Sequence, residues 1–173
     1  MEETKIATGD KRSVGIKFGL IGTVVGIVYF IILLVAGQNP LTFKWSWIFQ
    51  LTAAIVIVFL AHKAYKEENN GFMTYGEGVG VGLWYTLIGV GVGMLFHYIY
   101  ITFIDPNLVT DFYEYQYEQM QQKGMQDPQI ETALSWTKKL YWPIGIFVAV
   151  FTSMIIVLLV TIFTQKRPPE QRF

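Results

Sequence analysis

The sequence contains no cysteine. That absence excludes disulfides, thiolate chemistry and Cys-based zinc or iron–sulfur sites. Charge is scarce as well: 15% of the 173 residues are Asp, Glu, Lys or Arg, well under the quarter or so usual for a soluble domain. Neither sign is in excess, with 13 acids against 13 bases, so no bulk charge points to nucleic acid. The two histidines, His62 and His97, have no second ligand at metal-binding spacing. No residue pair reads as base and nucleophile. Neither a metal, a cofactor nor an enzymatic activity is expected.

Apolar length is what the chain has. Four uncharged stretches, Phe18–Gly37, Trp45–Ala61, Gly78–Ile104 and Leu140–Phe163, hold 20, 17, 27 and 24 residues. At about 1.5 Å per residue, each comes near or exceeds the roughly 30 Å hydrocarbon core of a bilayer. A backbone in lipid must satisfy its own polar groups, so each stretch is expected to be an α-helix. The first is about twice as long as a signal-peptide apolar region and follows both acids and bases. It reads as a retained span, although Val35-Ala36-Gly37 would pass as a cleavage site. The expectation is one all-α membrane domain over 1–173, a four-helix bundle with spans at about 14–37, 45–62, 77–104 and 140–164.

The bases set an orientation. Lys5, Lys11, Arg12, Lys17, Lys63, Lys66, Lys166, Arg167 and Arg172 fall in the two tails and the loop between spans two and three. Lys44, Lys123, Lys138 and Lys139 fall on the other side. By the positive-inside bias both termini are expected in the cytoplasm.

The long loop over 105–139 is too long to be structureless. Asp105-Pro106 and Asp127-Pro128 each read as an N-cap followed by proline at the first helical position. Val109, Phe112, Tyr113, Tyr117 and Met120 then recur on one helical face, with Asp111, Glu114 and Glu118 almost opposite. That helix is expected to end near Gly124. Ile130, Ala133, Leu134, Thr137 and Tyr141 form a second apolar face that leads into the fourth span. An amphipathic helical hairpin between spans three and four follows, with a kink at Pro143. Its acidic stripe reads as a solvated face or as a docking face for a cation or partner. Tyr98, Tyr100, Trp136, Tyr141 and Trp142 suit an interfacial aromatic belt.

In lipid, helices associate through close packing at small residues. Gly15, Gly19, Gly22 and Gly26 line one face of the first span, and Gly78, Gly82, Gly89 and Gly93 line one face of the third. These two helices are expected to touch; self-association through the same faces is the rival reading. The YGEGVGVG run lacks the preceding strand and following lysine of a phosphate loop. His97 is the one ionisable residue expected inside a span, as a hydrogen-bonded interfacial group or as a proton or metal site. Lys17 and Glu77 share a membrane side and are placed to pair. Gln50 and Thr52 are candidates for interhelical hydrogen bonds.

GIKFGLIGTVVG, GFMTYGEGVGVG, FIDPNLVTDFYEYQYEQMQQKGMQDPQIETA and YWPIGIF stand in an order that resembles a bacterial family of small four-span integral membrane proteins catalogued as a domain of unknown function. The resemblance covers nearly the whole chain and implies a bacterial inner-membrane location, with no activity and no functional residues to carry over. The expected function is non-catalytic, through helix packing or association in the bilayer with itself or a membrane-protein partner. The alternative is a small transporter or channel for cations or small solutes.

Overall fold

The computed structural model describes residues 9–167, so Lys5 and Arg172 lie outside the described part of the chain. The described residues are helical apart from turns and one isolated antiparallel bridge. Helix α1 runs Lys11–Val35, α2 Ser46–Glu68 and α3 Tyr75–Ile99, the last continued by a π-helical segment Tyr100–Ile104. Helix α4 runs Asn107–Gln122 and α5 Asp127–Thr164. Helices α1, α2, α3 with its extension, and α5 are long and apolar enough to cross a membrane. Their outward faces carry large apolar side chains such as Val24, Phe59, Leu95 and Phe151, as lipid contact requires.

Helix starts are set by side chains that satisfy otherwise unpaired N–H groups. Asp10 accepts from Arg12 N at 3.0 Å and Ser13 N at 3.2 Å. Thr74 and Glu77 form a capping box at α3: Thr74 N donates to Glu77 Oε2 at 2.7 Å and Glu77 N donates to Thr74 Oγ1 at 3.3 Å. Thr74→Ala is expected to lower stability by about 1 kcal/mol, measurable as a lower unfolding temperature in detergent. Helix α4 ends as its glycine suggests. Gly124 takes φ +80°, which lets Gly124 N reach Gln121 O at 2.9 Å and Met125 N reach Met120 O at 3.2 Å, the paired bonds of a Schellman turn.

Both caps expected for the long loop sit one residue from their predicted places. Asp105 Oδ1 accepts from Asn107 N at 3.1 Å, so it caps, but Pro106 precedes the first helical residue. At α5 the N-cap is Gln126, and Asp127 is the first helical residue. The structure adds two features to the expected hairpin. Its second arm is no separate element, because α5 passes unbroken through Pro143. Helix α4 does not stand free: Asn39 Nδ2 in the α1–α2 connection donates to Leu108 O at 3.0 Å, and α4 packs on α5. The apolar positions face inward as their spacing requires, with Leu108 and Ile130 buried and Asp111, Glu114 and Glu118 exposed.

Helices α2 and α3 form the inner pair, each touching α1, α5 and the other, while α1 and α5 do not meet. The core is Ile57, Val58, Tyr85, Ile156, Val157 and Val160. A second cluster, Val14, Ala61, Tyr65, Met73 and Val81, lies toward the end that carries both chain ends.

Helices α1 and α3 touch as expected, with the glycines set mostly against larger residues. A Cβ on Gly15 would lie 2.5 Å from Trp84 Cβ and 2.6 Å from Val81 O, and one on Gly19 3.0 Å from Ile88 Cβ and Tyr85 O. Gly22 faces the Tyr85 ring. The α1 glycines therefore receive bulky residues of α3. Gly78 and Gly82 of α3 turn instead to α5, where a Cβ would lie 2.7 Å from Thr161 Cγ2 and 2.1 Å from Val157 Cγ1. Gly89 meets only Gly19 O at 3.8 Å, and Gly26 and Gly93 meet nothing within 4 Å. At Gly26 and Gly93 a Cβ would enter open space among the described residues.

Candidate functional site

The α3–α5 seam is built on antiparallel pairs at four-residue spacing: Gly78 with Thr161, Gly82 with Val157, and Thr86 with Ser153. Small residues on α3 bring the backbones together, and the hydroxyls of Thr86 and Ser153, 2.7 Å apart, satisfy each other in the apolar interior. Thr86→Val is expected to lower stability by about 0.6 kcal/mol, the scale of interhelical hydrogen bonds in lipid; the unfolding temperature of the variant reads it. Thr161 and Thr23 donate back to carbonyls one turn away, Val157 O at 2.6 Å and Gly19 O at 3.0 Å. Gln50 and Thr52, the expected polar contacts, are exposed.

Three turns along the seam from Thr86, His97 Nε2 lies 2.7 Å from Tyr141 Oη. The ring is half-buried and meets Trp142 edge-on at 5.7 Å and Phe30 at 6.4 Å. Tyr141 packs on Phe112 of α4 at 6.0 Å, so His97 belongs to an aromatic joint between the bundle and α4. No group of three or more His, Asp or Glu with metal-holding geometry occurs among the described residues.

Sequence reasoning missed His62. It was read as the end of the second span, beside the loop lysines Lys63 and Lys66, yet α2 continues to Glu68 and His62 is fully buried. Nδ1 lies 2.8 Å from Thr164 Oγ1 and Nε2 3.0 Å from Gly78 O. Beside it, Lys66 Nζ donates to Thr164 O at 3.1 Å. Met73 and Lys166 exchange two backbone bonds of 2.8 and 2.7 Å. The signal was present: Val58, Ala61, His62 and Tyr65 are all buried and recur at i, i+3, i+4 and i+7. The expected Lys17–Glu77 pair does not form. The Glu77 carboxylate is occupied by Thr74, while Lys17 Nζ lies 5.8 Å over the Phe18 ring.

A concave surface lies at the opposite end, between α4 and the first turns of α5. This open groove of about 460 Å³ is lined by Thr110, Tyr113, Glu114, Tyr117, Glu118, Leu134 and Lys138. Two of the three predicted acids, Glu114 and Glu118, border it with two tyrosines, and Asp111 is not among its lining residues. Lys138 Nζ lies 5.1 Å over the Tyr113 ring. The Tyr117 hydroxyl donates to Asp127 Oδ1 at 2.8 Å. That bond raises the phenol above its ordinary pKa, because ionisation would set a phenolate against the carboxylate. Burial raises Tyr113 in the same direction. The Tyr117–Asp127 bond is therefore present below the ordinary phenol range and lost as pH rises through the elevated value.

The family described as "Protein of unknown function (DUF4199)" matches residues 17–166. That span takes in most of α1, the other three long helices and the groove. The chain belongs to the DUF4199 family. No curated protein and no solved structure matches it. In this DUF4199 chain the matched segment begins at Lys17, six residues into α1, and ends at Lys166, the residue that pairs with Met73.

Proposed function

We propose that this DUF4199 protein is a non-catalytic, four-span protein of the bacterial inner membrane, and that it works by docking a membrane partner in the α4–α5 groove. Both termini and the α2–α3 connection would face the cytoplasm, following the Lys/Arg bias, and the groove the opposite side. The observation that carries this reading is the placement of the groove on a firmly anchored helix. Asn39 ties α4 to the α1–α2 connection, Tyr117 ties it to α5, and Phe112 packs on Tyr141. An amphipathic helix that merely rested on lipid would need none of these ties. Tyr113 and Tyr117 supply apolar area with polar tips, the composition favoured at the centres of interfaces, and Glu114 and Glu118 favour a basic partner segment.

The test is native mass spectrometry of the protein gently extracted from its own membrane, compared with a Glu114→Lys, Glu118→Lys double variant. One recurrent partner at fixed stoichiometry in the first sample and its loss in the second is the expected result. A wild-type protein that emerges alone, or a partner indifferent to the two substitutions, would refute the docking role. Cation transport is the second reading, favoured by the same two carboxylates at the rim of the groove.

A further inference from the structure

His62 is fully buried where α2 meets α3 and α5, and nothing in the proposed docking role uses its chemistry. Its ring nitrogens have partners of unequal kind. The Gly78 carbonyl, 3.0 Å from Nε2, only accepts, so Nε2 carries a hydrogen. The Thr164 hydroxyl, 2.8 Å from Nδ1, either donates or accepts. Its oxygen also lies 2.8 Å from Val160 O. These contacts define two complete arrangements. With a neutral ring, Thr164 donates to Nδ1 while Nε2–H donates to Gly78. With a proton added, Nδ1–H donates to Thr164, whose hydrogen turns to Val160. One proton and one hydroxyl rotation separate the two sets of ring bonds.

We propose that His62 is a proton-binding latch: neutral, it locks α2 to α3 and α5; protonated at Nδ1, it loosens the Met73–Lys166 clasp beside it. The loosening follows from the charges around the ring. On α2, Lys66 is the charge that acts on it, and its ammonium holds Thr164 O. On α3, the nearest acid is Glu77, whose carboxylate already accepts from Thr74 N and Oγ1. Helix α5 offers only the hydroxyls of Thr161 and Thr164, and after it Lys166 Nζ sits over Phe72 at 5.4 Å. From α1 and its cap, Lys11 acts on Glu77 and Asp10 on Tyr65. A proton on His62 thus adds a second cation beside Lys66 in the buried interior, where like charges repel strongly. Lys66 is bonded at Thr164, two residues before the clasp, so repulsion there pulls directly on it.

The experiment uses ¹⁵N-histidine-labelled protein in lipid nanodiscs. Imidazole ¹⁵N shifts report the tautomer, and hydrogen exchange of the Met73 and Lys166 amides, corrected for its intrinsic pH dependence, reports the clasp. The expected result is an Nε2–H tautomer at about pH 8, then protonation of Nδ1 only as the pH is taken down to about 4, with exchange at least about tenfold faster. His62→Gln, whose amide can donate to Gly78 O and accept from Thr164, should give exchange that is flat with pH. His97→Gln should keep the wild-type response. A ring that stays neutral throughout, a ring that charges while exchange stays constant, or an unchanged response in His62→Gln would each overturn the proposal. If His62→Gln does not fold, the wild-type shifts and His97→Gln decide it.

Discussion

Gly82→Leu is expected to destabilise the protein by about 3 kcal/mol or more and to remove most of the folded material from detergent extracts. Even an alanine Cβ would lie 2.1, 2.6 and 2.9 Å from Cγ1, Cγ2 and Cβ of Val157. Valine in a helix has essentially one χ1 rotamer, and Val157 is fully buried, so it cannot turn aside. Helices α3 and α5 would have to part. One turn along in each direction they would lose the Thr86–Ser153 bond and the Gly78–Thr161 contact. Val157→Ala placed in a Gly82→Ala background should return part of the loss, since residues in contact couple by roughly 0.5–3 kcal/mol. Gly93→Leu, which enters open space, should change stability by no more than about 0.5 kcal/mol. Thermal unfolding of the variants in one detergent separates these outcomes. Equal effects at positions 82 and 93 would contradict the packing assigned to α3.

Gly15→Leu is the second large effect, at about 3 kcal/mol. Here the obstruction is backbone: a Cβ would lie 2.6 Å from Val81 O as well as 2.5 Å from Trp84 Cβ. A carbonyl held in its helix has no rotamer by which to move away. A graded alanine series should follow the geometry, with Gly15→Ala worst and Gly19→Ala milder at 3.0 Å. Gly26→Ala, with nothing within 4 Å, should be close to silent. The gradient argues for α1 lying on α3, and a flat series would argue against it. Both substitutions act through packing, which in lipid replaces the hydrophobic effect as the force between helices.

Much of this architecture was legible because it depends on length and period. Four uncharged runs gave four long helices, and the apolar spacing from Val109 to Met120 gave the amphipathic α4 with its exposed acids. Gly124 marked the end of that helix, because a left-handed residue is needed there. Partner choice was not legible. A glycine face states that something approaches closely, but the approaching residues, such as Trp84 or Val157, carry no matching mark. The same limit hid Asn39, whose contact with Leu108 O depends on where two distant connections meet. His62 was hidden differently. Lys63 and Lys66 read as loop residues that follow the second span, although the buried face of α2 continues through Tyr65 beneath them. The groove was half legible: Glu114 and Glu118 were singled out, while Leu134 and Lys138 join them only once α5 folds back along α4.

In the proposed reading the bundle is a packed scaffold for docking, with no path for solute through it. Its most direct test is ion flux in proteoliposomes that hold the purified protein at known density, with pH-sensitive and potassium-sensitive dyes inside. The expected leak is indistinguishable from that of protein-free vesicles for both protons and potassium. Saturable cation flux that disappears in a Glu114→Gln, Glu118→Gln variant would contradict it and make the groove the mouth of a transport path.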